Sequence, residues 1–385
     1  MKRYVASHLK DMNRKLVYDM FMSQRQLSRS DISRETGISP PTVLKIVDFF
    51  LRHRLVIEDG EGVSSLGRKP QLFRFNAQAA YTVGVVMEDE RLRVGVVDLG
   101  GTLHALREMR VRMDFSAVLQ TLLVGEIRAA LADAGLQEAL ILSAGLAVPG
   151  MIDAHNRVID FSQALGIRQR FDCNPLLDAA EEALGFPIYL ENDVNASAMG
   201  EYDARRRQHK PTADLVYIQL GDGLGAGIIL DGQLLRGRQH AAGEIGYMVL
   251  DAAYPGAANR DGWLEGALRA QALAERYPVY ERLLAGESPA GYLDDPQCTA
   301  LLDELATRLS LSIVNMLAVV DVGLVVLGGR TVQIFGDDLI ACLHDHLGRV
   351  SALPVQCALP LDINASVVGI AAIARELGIE VFFAD

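Results

Sequence analysis

Ser39, Pro41, Thr42 and Lys45 crowd into one short stretch near the amino terminus, and Arg68-Lys69 follows a run of mostly small residues, Ser64-Ser65-Leu66-Gly67. Small hydroxyls and cations at this spacing suit contact with a polyanion, the hydroxyls by hydrogen bonding and the cations by charge. The charge distribution agrees. The 385-residue chain has a formal net charge of −12, yet residues 1–76 hold 14 Lys+Arg against 8 Asp+Glu, a net of +6, which leaves −18 on the remainder. A basic first fifth on a strongly acidic body reads as a polyanion-binding module carried by a domain that repels polyanions.

The elements needed to position these residues are legible. Leu16, Val17, Met20 and Phe21 repeat at helical spacing and predict a first helix from about Asn13 to Met22. Ser28-Arg29-Ser30-Asp31 fits a capping box and opens a second, short helix that stops at Gly37. Gly37 supplies the positive φ of a tight turn, and Ile38 plugs the angle between two helices. Ser39 caps the next helix, with Pro40 at its first position and Val43, Ile46, Val47, Phe50 and Leu51 along one apolar stripe. Leu55–Glu58 and Gln71–Phe75 read as strands, with a wing from Asp59 to Pro70 between them. The pattern over residues 1–76 is that of a winged helix-turn-helix for double-stranded DNA, with a helix for the major groove and a cationic wing for the backbone or minor groove.

From Tyr81 the pattern changes to strands. Tyr81–Met87 and Leu92–Val97 flank the acidic turn Glu88-Asp89-Glu90-Arg91, and Leu99-Gly100-Gly101 turns into a third strand. A helix over Val118–Ala134 and the strand Ala139–Ala147 follow. The pattern restarts at Leu215–Leu220, which runs into the glycine loop Gly221-Asp222-Gly223-Leu224-Gly225-Ala226-Gly227. Two similar halves predict a duplicated α/β architecture of two lobes with a cleft between them. Cys173, Cys298, Cys342 and Cys357 show no CxxC or Cys/His spacing and read as reduced, mostly buried thiols. Met1-Lys2-Arg3 leads into a polar stretch, not a signal peptide, and no apolar run is long and uncharged enough to span a bilayer. A soluble, cytoplasmic protein without membrane partners is expected.

Nearly the whole chain resembles the ROK proteins (repressors, open reading frames and sugar kinases), specifically their transcriptional-regulator branch. The resemblance rests on Ser65-Leu66-Gly67-Arg68-Lys69-Pro70, Gly145–Asp153, Glu191-Asn192-Asp193-Val194-Asn195-Ala196, the glycine loop at 221–227, Ala242-Gly243-Glu244-Ile245-Gly246 and Gly328-Gly329, in that order. It implies an actin/hexokinase-like body over residues 77–385 behind the DNA-binding domain. Lobe 1 would span about 77–195 plus a carboxy-terminal helix at 366–380, and lobe 2 about 196–365.

The resemblance also implies a ligand site. Asn192 and Asp193 match the family's sugar-hydroxyl pair, with Asp193 at the kinase general-base position. Glu244 and Glu265 match two sugar-binding glutamates, and Tyr247 stands where the family has His. A ring of carboxylate and amide groups is what a polyol needs. Arg236 and Arg238, beside Gly243-Glu244, are the cations available if the ligand carries a phosphate. The kinase phosphate turns are altered. Glu88-Asp89-Glu90 replaces a glycine turn, Asp222 replaces a usual Thr, and Asp98-Leu99-Gly100-Gly101-Thr102 imitates the kinase string one strand too late. The family's zinc cysteines are missing from Tyr254–Asp261, and no Cys or His lies between 241 and 297, so neither zinc nor another cofactor is expected. The expectation is a non-enzymatic, sugar-responsive repressor that binds a palindromic operator as a homodimer or homotetramer. The alternative is a sugar kinase carrying a DNA-binding domain.

Overall fold

The computed structural model describes residues 6–23, 26–62, 69–88, 90–208, 210, 213–251, 262–288, 291 and 295–384. Its first elements are helix α1 (Ala6–Ser23), strand β1 (Leu27–Ser28), helices α2 (Arg29–Thr36) and α3 (Pro40–Arg52), and strands β2 (Val56–Glu61) and β3 (Gln71–Phe75). The three strands form one sheet in the order β1-β3-β2. The capping box is present: Ser28 Oγ accepts from the Asp31 amide at 3.2 Å, and the Asp31 carboxylate accepts from the Ser28 amide at 3.1 Å. Hydrogen bonds from Ser28 hold the Asp31 carboxyl below its ordinary range. Gly37 ends α2 at φ 70°, and Ile38 is buried between the helices.

Three details differ from expectation. Helix α1 starts at Ala6, well before Asn13. In the added turns Leu9 and Met12 are each 57 % exposed; farther along, Arg14 lies 3.7 Å from the Phe49 ring centroid, and Lys15 bridges Glu376 at 2.7 Å. Leu16 is 45 % exposed, and Tyr18 takes the buried position beside Val17 and Phe21. Ser39 is the N-cap residue of α3, but its hydroxyl meets Thr42 Oγ1 at 2.9 Å and makes no capping bond to an amide.

The body continues with strands β4 (Tyr81–Glu88), β5 (Arg91–Asp98) and β6 (Leu103–Arg110), helices α4 (Phe115–Thr121) and α5 (Leu123–Asp133), and strand β7 (Ile141–Val148). Then come short strands β8 (Met151–Asp153), β9 (Val158–Phe161) and β10 (Phe171–Asp172), helix α6 (Asn174–Leu184) and strand β11 (Ile188–Asn192). Helix α7 (Asp193–Arg207) leads into β12 (Leu215–Leu220), β13 (Leu224–Leu230) and β14 (Gln233–Leu234). Helices α8 (Trp263–Leu268), α9 (Ala270–Arg276), α10 (Pro278–Leu284) and α11 (Pro296–Val320) follow, then β15 (Leu324–Gly328), α12 (Arg330–Phe335), α13 (Asp337–Val350), β16 (Gln356–Ala358) and α14 (Ala365–Ala384). The single helix expected over 118–134 is two helices bent by 54° at Leu122. The bend lets Phe115, Val118 and Leu119 on one side and Leu123, Ile127 and Leu131 on the other all become buried. No single helix among the described residues is long and apolar enough to cross a membrane.

Duplication is explicit in the sheets. One has the order β11-β7-β4-β5-β6 and the other, written in the same sense, β16-β15-β12-β13-β14. In each, an antiparallel meander begins the repeat, and its first strand pairs in parallel with a later one, β4 with β7 and β12 with β15. The chain packs as two units, residues 1–147, 172–190 and 370–385 in the first and residues 148–171 and 191–369 in the second.

In the second unit the strand period of two sorts β12 between two layers. Val216, Ile218 and Leu220 join α11 and α13 through Leu305, Leu309, Leu339 and Leu343. Leu215 and Tyr217 face the other way and pack with Val194 and Ala198 of α7. Helix α7 also crosses the start of α14 at backbone distance. A Cβ on Gly200 would overlap the Ala365 carbonyl, and one on Gly369 would overlap the Ala196 carbonyl. The four cysteines are free thiols, three of them buried, and burial pushes the Cys357 thiol up to about 12.

In the first unit the rest of α14 runs beside β7, where Ser143 Oγ donates to the Ala374 carbonyl at 2.8 Å. It ends inside the winged-helix module. Ile379 and Phe383 are each 1 % exposed and share one core with Tyr18, Phe21, Phe50 and Phe73. The Phe383 ring stacks on Phe50 of α3 with centroids 5.7 Å apart, and Arg14 donates to the Phe383 carbonyl at 2.6 Å. The winged helix therefore completes its core with the chain's last turns. Phe383→Ala is expected to cost about 3–5 kcal/mol, seen as a lower urea midpoint. Leu377→Ala, on an exposed position of the same helix, is expected to stay within about 0.5 kcal/mol.

Candidate ligand site and DNA-binding face

Strand β13 is the platform on which the carboxylates predicted from sequence converge. The first turns of α7 lie on it at Gly225 and Gly227, against Val194 and Ala198. The Gly243-Glu244 turn docks beside it, with the Ala226 amide donating to the Gly243 carbonyl at 2.8 Å. Only glycine fits there: Gly243 has φ 91°, and a Cβ would run into the Ala226 carbonyl. Glu265, on α8, reaches past Gly246 so that its two carboxylate oxygens border Gly246 and Gly223 at the head of the strand. One strand thus gathers residues separated by up to 73 positions in sequence, from Asn192 to Glu265.

The gathered groups are not equivalent. Asn192 is the N-cap of α7: its Oδ1 accepts from the Val194 and Asn195 amides, both at 2.9 Å, and its Nδ2 donates to the Gly150 carbonyl at 3.0 Å. That use explains its place as a positioning group for the turn. Asp193 follows it, 5 % exposed, with one carboxylate oxygen 3.0 Å from the Val194 amide. Glu244 differs. Burial pushes its carboxyl above the ordinary value of 4.5, and its carboxylate makes no hydrogen bond among the described residues. A partly buried carboxylate without a partner among the described residues is suited to accept hydrogen bonds from hydroxyls. Tyr247, 44 % exposed, stands on the short helical turn after Glu244.

Arg236 is not the free cation that a phosphate would need. Its Nε and Nη2 lie 2.8 and 2.7 Å from Oε2 of Glu191, which is 1 % exposed. Sequence reading missed this pair because 45 residues separate its members, and neither position is marked by local pattern. Arg238 is exposed.

The turns set against kinase chemistry are also visible. Asp98–Thr102 is a hairpin turn between β5 and β6, where Asp98 accepts from the Thr102 amide at 2.9 Å and meets His104 Nε2 at 2.9 Å. Both oxygens of that carboxylate are used internally. The β4–β5 turn carries Glu88 and Glu90, with Asp89 outside the described residues, and Asp222 is exposed in the second glycine turn. Among the described residues no group of three or more His, Cys, Asp or Glu is placed to hold a metal. The loop from 252 to 261, which holds the Tyr254–Asp261 segment lacking the family's zinc cysteines, lies outside the described residues.

On the candidate DNA-binding face, Ser39, Pro41 and Lys45 are exposed and Thr42 is partly exposed along the start of α3. Lys69 is exposed at the base of the wing, where the Gly62 amide donates to the Pro70 carbonyl at 2.8 Å. Arg68 and the wing tip from 63 lie outside the described residues. The longer α1 adds what the sequence reading lacked: Lys10 and Arg14 line a groove with Thr42, Lys45 and Arg52. Burial lowers the Arg14 pKa, with Asp11 opposing and Arg52 adding to the shift, and Asp48 lies in the same groove beside the four cations.

The raised Glu244 carboxyl has a consequence without any ligand. Because its folded value exceeds its unfolded one, its favourable contribution is complete below 4.5 and is lost as pH rises through the folded value. Glu244→Gln is therefore expected to raise Tm at pH 7 and to flatten the Tm profile from 4.5 upward. A wild-type profile unchanged by the substitution would contradict the unmatched carboxylate.

The ROK family profile matches residues 82–376. The xylose repressor of Bacillus subtilis strain 168 is 27% identical over 259 residues, 66% of this chain and 65% of that protein, so the match spans just under two thirds of that relative's length. The xylose repressor of Caldicellulosiruptor bescii is 24% identical over 378 residues, 92% of each protein. Among solved structures, a ROK family transcriptional regulator homologous to the E. coli MLC protein has a TM-score of 0.77 at 21% identity, covering 98% of this chain and 99% of that one. A Streptomyces griseus ROK glucokinase in complex with glucose and AMPPNP has a TM-score of 0.62 at 25% identity, covering 77% of this chain and 100% of its own. The duplicated sheets, the glycine-set turns on β13 and the span of the match agree, and the chain belongs to the ROK family.

Proposed function

We propose that this chain is a transcriptional repressor whose winged helix-turn-helix binds an operator and whose second unit binds a sugar that relieves repression. The observation that carries this reading is the unmatched Glu244 carboxylate, gathered with Asp193 and Glu265 around β13 in a chain that also presents a cationic recognition helix. Relatives named xylose repressors support both halves of it. The acidic lining and the engagement of Arg236 by Glu191 favour a neutral sugar over a sugar phosphate. A homodimer or homotetramer on a palindromic operator, in the cytoplasm, completes the proposal.

A route from sugar to DNA is available in α14. Its first turn packs on α7, the helix headed by Asn192 and Asp193, and its last turns fill the core beneath α3. A sugar shifts operator affinity only if it prefers one conformation of the chain, and a helix attached at both ends carries that preference. The kinase reading has a counterargument in the acidic β4–β5 turn and Asp222, which repel phosphates where the family's kinases need glycines. Sugar-dependent ATP consumption abolished by Asp193→Asn would overturn the non-enzymatic assignment.

The test begins with a thermal-shift screen of D-xylose, D-glucose, other pentoses and hexoses, and their phosphates. A neutral sugar is expected to raise Tm and to weaken binding to an operator obtained by in vitro selection with the full chain. Stabilisation only by sugar phosphates would overturn the ligand assignment. Glu244→Gln should weaken sugar binding by about 1.5–3 kcal/mol, roughly ten- to a hundredfold in Kd. Since hydroxyl donors favour the ionised carboxylate, wild-type affinity should rise with pH through the Glu244 titration and then level off, and the Gln variant should lose that rise.

On the DNA side, Lys45→Ala and Lys69→Ala should each weaken operator binding and reduce the slope of log K against log salt by about 0.9. Thr42→Ala should change base preference. Unaltered salt slopes in both lysine variants would place DNA elsewhere.

A further inference from the structure

We infer that Arg236 is a positioning residue for the sugar site: its ion pair with Glu191 fixes the turn carrying Glu244 relative to the head of α7. The inference rests on the reading that Asp193 and Glu244 hold the sugar. Glu191 is the residue before Asn192, and all its acceptor capacity faces inward at 1 % exposure. Arg236 places two donors on Oε2, at 2.8 and 2.7 Å, while Oε1 lies 3.0 Å from both the Asn192 amide and Asn195 Nδ2. One carboxylate therefore holds a guanidinium on one side and the first turn of α7 on the other.

Arg236 begins the loop that ends at Glu244. That loop leaves β13 where the Leu235 amide donates to the Ile228 carbonyl, at 2.8 Å, and returns where the Ala226 amide donates to the Gly243 carbonyl, at 2.8 Å. The Ala242 amide closes on the Arg236 carbonyl at 3.3 Å, so the arginine and the Gly243-Glu244 turn are joined through the backbone as well. A second pair, His240 Nε2 to Asp153 Oδ1 at 3.4 Å, pins the middle of the loop. Of the two, only the arginine pair reaches the residue adjoining Asn192. Glu191 is 1 % exposed, so removing the arginine leaves a buried charge with donors on Oε1 alone and cuts the loop's tie to the head of α7.

The test uses the full chain with Arg236→Met, Arg236→Lys, Glu191→Gln and the double variant Glu191→Gln/Arg236→Met. Sugar Kd is measured by calorimetry, amide exchange over residues 236–246 without sugar, and unfolding midpoint and sugar-free operator affinity in parallel. Arg236→Met should weaken sugar binding roughly tenfold or more and speed exchange in the loop, with operator affinity retained. Arg236→Lys should be intermediate, because an ammonium does not reproduce the two-donor contact. The double variant should be no worse than the worse single one, as expected for partners in one interaction. Wild-type Kd and wild-type exchange in Arg236→Met would overturn the inference. Failure of every sugar to bind the wild-type chain would sink the sugar reading, while loop exchange would still report whether the pair positions the turn. If the double variant simply fails to fold, the Arg236→Lys comparison of Kd and exchange still decides.

Discussion

The crossing of α7 and α14 at Gly200 and Gly369 is the contact on which the remainder of the reading depends. Helix backbones approach this closely only when neither partner carries a Cβ at the crossing, since either one would occupy the other's carbonyl. The head of α7 holds Asn192 and Asp193, and the far end of α14 supplies Ile379 and Phe383 to the core beneath the recognition helix. The winged helix supplies most of its own core, from Val17 to Phe73. It adds Ile379 and Phe383 from the last turns of α14, so its core includes the far end of a helix whose first turn packs on α7. Close-packed contacts of this kind transmit displacement because they have little room to absorb it.

Two glutamates illustrate how the second unit divides stability from binding. Glu191 is buried with donors on both oxygens and fixes local geometry. Glu244 is partly buried, and its carboxylate has no such partners among the described residues. Burial without hydrogen bonds is costly in the empty protein, and it is recovered when hydroxyls supply the missing donors. On the proposed reading, an unmatched carboxylate held at a glycine turn is a destabilised feature that a ligand's hydroxyls would compensate. Arg236 belongs with the first glutamate, so its charge is taken up within the fold.

Much of this was legible in sequence, and the exceptions share a cause. The Ser28–Asp31 capping box, the Gly37 turn, strand Gln71–Phe75 and the two strand meanders are local patterns, and each is present where the sequence placed it. The early turns of α1 were missed because their apolar residues, Leu9 and Met12, stay exposed and join no core, unlike Val17 and Phe21. The break at Leu122 was missed because both halves keep helical periodicity while turning their apolar faces differently. Phe383 in the winged-helix core and Arg236 on Glu191 join residues hundreds or tens of positions apart, where local reasoning has no purchase. Asn192, Asp193, Glu244 and Glu265 were named from motif resemblance. Their grouping around β13 is tertiary information.

Amide hydrogen exchange of the full chain, with and without the sugar that raises its Tm, tests the central claim most directly. The account predicts altered protection at the head of α7 and in the loop before Glu244, together with altered protection in residues 376–384 and in α3. Changes confined to the sugar site, in a protein whose operator affinity nonetheless responds to that sugar, would contradict transmission through α14.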